Sequence, residues 1–402
     1  TPDYCTIDFG DGYSVSLTAT NGTVSPSNIT VGYGGSASFT VTPNSGYILE
    51  LESHTCGGTL SGSTYTISNI TSAKSCSITF KSSTPTLYAK LLADKTTRPN
   101  RGSFSSVLTT DNTKTLYTST ENGTTVYYFA GNATDNWVKF GGFYWRIIRT
   151  NADGGVRLLY HGTSTTATDA YISSSTAFNS TYNDPMYVGY MYGTSGSQAN
   201  NRTNQTNSST IKGVIDTWYQ NNLNTNYGKY ISTTAVYCND RSVTGGTYSV
   251  SSSFNYAAYT RLDTNKTPTY DCTAIEDKFT VDTSTGNGKL TYPIALMTAD
   301  EVSFAGGVIF TNAPTWYYYN SAKDSSTGST WWWLLSPNGW YGSGARVFVV
   351  VGSSDPGYLS NGSVGGTGGV RPAVSLKSCV KTSGGDGSAS APYTIEESTS
   401  GC

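Results

Sequence analysis

A chain of 402 residues exceeds the usual size of one domain, so two domains are expected, one small and one large. Charged residues make up only 12%, and 24 basic side chains against 26 acidic ones leave a net charge of −2, which excludes the electrostatic footprint of a nucleic-acid binder. The abundance of Thr, Ser, Asn, Gly and Tyr points instead to the neutral polar surface of a β-rich extracellular protein.

Residues 1–82 read as a small all-β module. Short alternating runs such as Ser14-Val15-Ser16-Leu17 and Ala37-Ser38-Phe39-Thr40-Val41 are separated by turn signals at Asn21-Gly22, Gly34-Gly35 and Ser45-Gly46. The passages Gly22-Thr23-Val24-Ser25-Pro26, Gly34-Gly35-Ser36-Ala37 and Val41-Thr42-Pro43 resemble divergent InlB B-repeats of bacterial surface proteins, which implies a spacer role. Residues 83–115 are Ser/Thr/Pro-rich, carry a basic patch from Lys95 to Arg101, and read as a solvated linker and lead-in.

The large domain is expected over 116–402. Trp137 to Arg149 carries bulky β-formers, Asn151-Ala152-Asp153-Gly154-Gly155 can make a turn, and Val156 to Tyr160 returns, so a hairpin is predicted, with His161 at its end. Two helices stand out. Thr210 to Leu223 places Ile211, Val214, Ile215 and Trp218 on one face, and Thr298 with Glu301 forms a capping box ahead of Gly306-Gly307. The runs Trp316 to Tyr319, Trp331 to Leu335 and Val347 to Val351 read as strands.

Seven cysteines without a C-x-x-C motif, and only His54 and His161 to complement them, argue against zinc. Their spacing suggests three local bridges, Cys56–Cys76, Cys238–Cys272 and Cys379–Cys402, leaving Cys5 over; reduced thiols are the alternative. No apolar run approaches the length of a membrane span.

Phe143-Tyr144-Trp145-Arg146, Leu296-Met297-Thr298-Ala299-Asp300-Glu301 and Gly369-Val370-Arg371-Pro372 resemble passages of the formylglycine-generating-enzyme branch of the C-type lectin fold. The likeness implies an α+β, C-type lectin-like domain of two helices and many short strands. Residues 331–376, opening on Trp331-Trp332-Trp333-Leu334-Leu335-Ser336-Pro337 and closing on Gly369-Val370-Arg371-Pro372-Ala373, resemble the variable region of diversity-generating retroelement proteins. In that family, adenine-directed copying errors scatter AAC and AAT codons over many residue types but cannot produce Lys, Glu, Gln, Met or Trp. Between Asn338 and Gly368 the first four are absent, and Trp340 is then fixed scaffold.

The resemblance, with the rule that strand side chains alternate, nominates as ligand contacts Gly339, Tyr341, Gly344, Arg346, Val349, Val351, Asp355, Tyr358, Ser360, Asn361, Gly362, Ser363, Gly365, Gly366 and Gly368. Tyr341, Arg346 and Tyr358 have the chemistry of hot spots, and Val349 with Val351 is expected to line a shallow pocket. Rigid strands framing Tyr, Ser, Asn and Gly suit an adaptable binding surface.

The expected partner is a protein or glycan on another cell, phage or host surface, with no cofactor, no metal and no enzymatic activity. One alternative is a fixed-specificity glycan-binding adhesin. Another is a formylglycine-generating-like enzyme, for which a close reactive thiol pair is wanting and both histidines are expected on exposed turns. Calcium-lectin signatures of the Glu-Pro-Asn and Trp-Asn-Asp kind do not occur, and Asp135-Asn136-Trp137 reads as a turn before a strand.

Overall fold

Strict apolar alternation in the N-terminal segment makes one-faced strands, and such faces are stable only when two sheets cover each other. In the computed structural model, which describes residues 12–166, 170–314, 317–318, 331–352, 355–398 and 401–402, the chain divides into two compact units, Thr1–Pro85 and Thr86–Cys402. The first holds two four-stranded sheets. One orders Asn28–Val31, Tyr13–Thr20, Lys74–Ser82 and Tyr47–His54, and the other Gly22–Ser25, Gly35–Pro43, Thr64–Ile70 and Thr59–Ser61. Ala37, Phe39 and Val41 alternate inward to meet Val15, Leu17, Ile78 and Phe80. A disulfide joins Cys56 to Cys76 with Cα atoms 5.8 Å apart. Cys5 lies outside the described residues.

The second unit begins earlier than a linker reading of 83–115 allows. Leu87–Asp94 is a helix capped by Thr86, and it buries Leu87 and Leu91. Lys95, at the start of the expected basic patch, is buried with its ammonium 2.5 Å from Asp135, and Thr96–Arg98 pairs in parallel with Thr115–Glu121. The i, i+4 spacing of the two leucines is what takes this segment out of solvent.

A ten-stranded sheet forms the body of this unit, running from Ile294–Leu296 through Pro372–Leu376, Val156–Gly162, Phe143–Thr150, Thr124–Tyr128 and Thr115–Glu121 to Thr96–Arg98. The Phe143–Thr150 and Val156–Gly162 strands are the expected hairpin, closed at Asn151–Gly155. A seven-stranded sheet orders Ser173–Ala177, Thr367–Val370, Trp331–Trp340, Phe254–Tyr256 and Val243–Gly245, and Ala345–Val351 and Leu359–Ser363 extend it from the Trp331 strand. Helix Thr210–Tyr219 turns Ile211 and Ile215 into the core and continues as a π-helical turn, Gln220–Asn224. Thr298 caps Ala299–Phe304 in a capping box with Glu301.

This architecture corrects the expected α+β, C-type lectin-like domain. Strands hold 41% of the chain and helices 15%, in several sheets with only a few short helices. Among the described residues the longest α-helix has ten residues, too short to form a layer of its own against sheets of this size. The three passages that carry the lectin resemblance become sheet neighbours instead: Ile294–Leu296, next to the capping box, pairs with Pro372–Leu376, and the Val156–Gly162 strand separates that pair from Phe143–Thr150.

Disulfides also join Cys238 to Cys272 and Cys379 to Cys402, with Cα separations of 5.8 and 5.7 Å. Three bridges fit an extracellular protein, and among the described residues no helix is long and apolar enough to cross a membrane.

Candidate functional site

The nominated contact residues lie on and around an antiparallel arrangement of three strands. Ala345–Val351 runs between Trp331–Trp340 and Leu359–Ser363. Trp333, Val349 and Ser360 stand opposite one another, as do Phe348 and Asn361, and Arg346 and Ser363. Tyr341 is 41% exposed at the first turn and Asp355 is exposed at the second. Gly344, Arg346, Val351, Tyr358, Ser360, Asn361, Gly362, Ser363, Gly365 and Gly366 are half-buried.

Three nominated residues are core. Val349 is 3% exposed, and Gly339 and Gly368 are buried. The expected pocket lined by Val349 and Val351 is therefore corrected: Val349 sits on an internal strand whose neighbours Trp333 and Gly362 close over it. Val351, at the strand end, stays half-exposed.

The glycines divide by the space around them. A Cβ on Gly368 would stand 2.3 Å from the Trp331 ring, and one on Gly365 2.8 Å from Tyr182. On Gly362 it would press the Trp333 ring at 3.2 Å. Gly344 has nothing within 4 Å. Gly344 can thus carry any side chain outward, whereas Gly368 is needed for the close approach of Trp331.

Around this hairpin the surface is aromatic. The Tyr341 hydroxyl donates to Asn338 Oδ1 at 3.0 Å, the Arg346 guanidinium lies 5.3 Å from the Tyr341 ring, and Arg346 Nη1 donates to Asn361 Oδ1 at 3.1 Å. Partial burial raises the Tyr341 phenol, Arg346 offsets part of the rise, and Asp263 adds to it. At the other end Tyr358 meets Phe310, ring centroids 5.7 Å apart. Phe310 is 46% exposed and sits at φ +57°, a left-handed conformation that costs a bulky side chain about 1–3 kcal/mol. Tyr182, 51% exposed, lies against Gly365 and accepts the Ala345 N–H at 2.9 Å. Sequence reasoning missed Tyr182 and Phe310 because both lie outside the framed segment. The signal available was an aromatic residue inside a polar, turn-forming stretch in each case.

Sequence reasoning also missed a buried ionic network. Glu301 Oε1 accepts from Arg149 Nε at 3.0 Å and Arg157 Nη1 at 2.8 Å, and Glu121 Oε1 accepts from Arg149 Nη2 at 2.8 Å. Arg261 is clamped by Asp300 and Asp240, 2.8 and 2.9 Å away. Burial pushes the Glu301 carboxyl up, but Arg157, Arg149 and the Thr298 N–H bring it below its ordinary value. Glu121 behaves alike, with burial again outweighed by Arg149. The remaining Glu oxygens accept the N–H groups of Thr298 and Ala152. With every Glu121 and Glu301 oxygen engaged, neither is a poised general base; the pair holds the capping-box helix to the ten-stranded sheet.

His161 corrects another expectation. It lies inside the paired strand Val156–Gly162, 1% exposed, its ring 4.3 Å from Trp137 in an edge-on contact and Nδ1 3.4 Å from Arg371. Strand pairing on both sides takes this position away from solvent. His54 is exposed and shares a 3.1 Å hydrogen bond with the Tyr65 hydroxyl. Among the described residues no group of three or more His, Cys, Asp or Glu side chains could hold a metal ion. Of the run Trp316 to Tyr319, expected to be a strand, only Tyr317 and Tyr318 are described, buried with their hydroxyls hydrogen-bonded to each other; Trp316 and Tyr319 lie outside the described residues.

Residues 269–378 match the model of a domain of unknown function, DUF6273. The DUF6273 segment contains the capping-box helix, the Trp331 strand, the exposed hairpin and the Arg371 strand. Its Glu301 is held by Arg149 and Arg157, which lie outside the segment. No curated protein and no solved structure matches the chain.

Proposed function

We propose that this protein binds a macromolecular partner outside the cell through the hairpin surface between Asn338 and Gly368, and that its exposed positions are diversified by a retroelement. The observation that carries this reading is the ring of exposed aromatic side chains, Tyr182, Phe310 and Tyr341, set around a hairpin that is fastened to a buried sheet. Exposed aromatics offer large contact area at low entropic cost, and a soluble domain retains few without a partner for them. Arg346 beside Tyr341 supplies the charged partner typical of a hot spot. The N-terminal sandwich, with its own core and disulfide, suits a spacer that carries this unit away from an anchoring surface.

Diversification has a narrower footprint than the framed segment. Tyr341, Gly344, Arg346, Val351, Asp355, Tyr358, Ser360, Asn361 and Ser363 can change without disturbing the core, whereas Val349, Gly339 and Gly368 cannot. Sequencing many copies of the gene from one population tests this. Substitutions concentrated at those nine positions support it, and variation spread evenly along the chain would sink it. An invariant hairpin that still binds would leave the fixed-specificity adhesin.

A further inference from the structure

A second cleft lies away from the hairpin surface, in the body of the large unit. It encloses about 230 Å³ between the Asn151–Asp153 turn, the Glu121-Asn122 turn, residues Thr234 to Val236, and the side chains of Lys278 and Thr285. Asn151 is 6% exposed and forms part of the wall, yet neither its Oδ1 nor its Nδ2 has a hydrogen-bond partner among the described residues. Its backbone is fully used: the N–H donates to Gly155 and the carbonyl accepts from Gly154. The turn therefore does not need the side-chain amide, and a buried amide left unpaired costs about 1–3 kcal/mol for each unmet group.

A ligand that fits must offer a donor and an acceptor side by side, since Oδ1 accepts and Nδ2 donates. Vicinal hydroxyls do this. The other wall groups select further. Glu121 is already neutralised by Arg149 and the Ala152 N–H, so the local charges left are Asp153 and Lys278, one of each sign, and no charged ligand is favoured. Asp153 can accept hydroxyls, Lys278 can donate, and Ala152, Ala235 and Val236 present an apolar patch to ring C–H groups. The volume admits one small ring, not a chain.

We propose that this cleft is a binding site for a single neutral sugar unit, whose adjacent hydroxyls pair with the Asn151 amide. It is independent of the hairpin surface. No aromatic side chain lines the cleft, so affinity rests on hydrogen bonds and is weak.

Saturation-transfer NMR on the full chain with D-glucose, D-galactose and D-mannose tests it, with N-methylacetamide as a peptide-backbone probe and D-glucuronate as a charged one. At least one neutral hexose receives saturation transfer. Asn151→Ala weakens that binding about tenfold or more, the loss of two hydrogen bonds. Because Asn151→Ala could disturb the turn, Ala152→Leu, which fills the cleft, is the second variant, and it also suppresses binding. Tyr341→Ala leaves it unchanged. The proposal is overturned if no hexose shows transfer, if binding survives both Asn151→Ala and Ala152→Leu, or if N-methylacetamide or glucuronate alone binds in an Asn151-dependent way.

Discussion

Replacing Glu301 with Gln keeps the shape of the side chain and removes one charge from a buried network. Glu301 is the carboxylate shared by Arg149 and Arg157, at 3.0 and 2.8 Å, and all three side chains are at most 3% exposed. Arg149 keeps Glu121, but Arg157 keeps only the Ser375 hydroxyl, the Val236 carbonyl and the face of Tyr237. Removing one partner of a buried pair typically costs about 3–5 kcal/mol, because the remaining charge stays desolvated. At roughly 2 °C per kcal/mol for a unit of this size, the transition of the large unit should fall by about 6–10 °C. Near-UV circular dichroism during thermal unfolding at neutral pH reads this through the buried Trp residues.

The same substitution carries a pH signature. The folded Glu301 carboxyl titrates below its ordinary 4.5, so its contribution is complete above that value and is lost as pH falls through the depressed folded one. Wild type should therefore lose stability below about pH 4.5 more steeply than Glu301→Gln. Asp277 and Asp216, both raised by burial, act with the opposite sign in both proteins and cancel in the difference. A shift of under about 1 kcal/mol, or parallel acid profiles, would refute the view that this network holds the helix to the sheet.

Other substitutions probe other parts of the structure. Gly368→Val, which drives a side chain into Trp331, should destabilise the large unit by about 1–3 kcal/mol in urea unfolding, while Gly344→Tyr should stay within about 0.5 kcal/mol of wild type. Replacing Cys56 and Cys76 together by Ser opens a loop of 20 residues and should lower the stability of the N-terminal unit by about 3 kcal/mol, leaving the transition of the large unit in place. Phe310→Gly relieves a left-handed bulky residue; it should stabilise the fold slightly while weakening capture of any partner selected on the hairpin surface, and unchanged capture in a surface-binding assay would remove Phe310 from that surface.

What the sequence made legible was local. The hairpin around Asn151–Gly155 is written in adjacent β-formers and turn residues, the capping box in residues three apart, and the bridges in cysteines that share a structural neighbourhood. What stayed hidden depends on distant partners. Arg149 and Glu301 are separated by 152 positions, and neither announces the other. Lys95 and His161 sit in polar-looking stretches that tertiary pairing then buries. Val349 obeys strand alternation, but alternation cannot tell an edge strand, with one free face, from an internal one covered on both. The lectin resemblance rested on three short passages that the structure gathers as neighbouring strands, without the helical layer the family pattern implies.

The pairing of Trp332 with Gly369 fastens the entry and exit of the exposed hairpin to one point of the sheet. Opening of the hairpin tip is therefore a local event with its own small free energy, separate from global unfolding. Amide exchange should be slow at Trp332 and Val370 and fast at Tyr341 and Asp355. An error-prone copying process acting between those roots explores new surfaces at little risk to the rest of the molecule, since length and attachment stay fixed while the tip alone is rewritten.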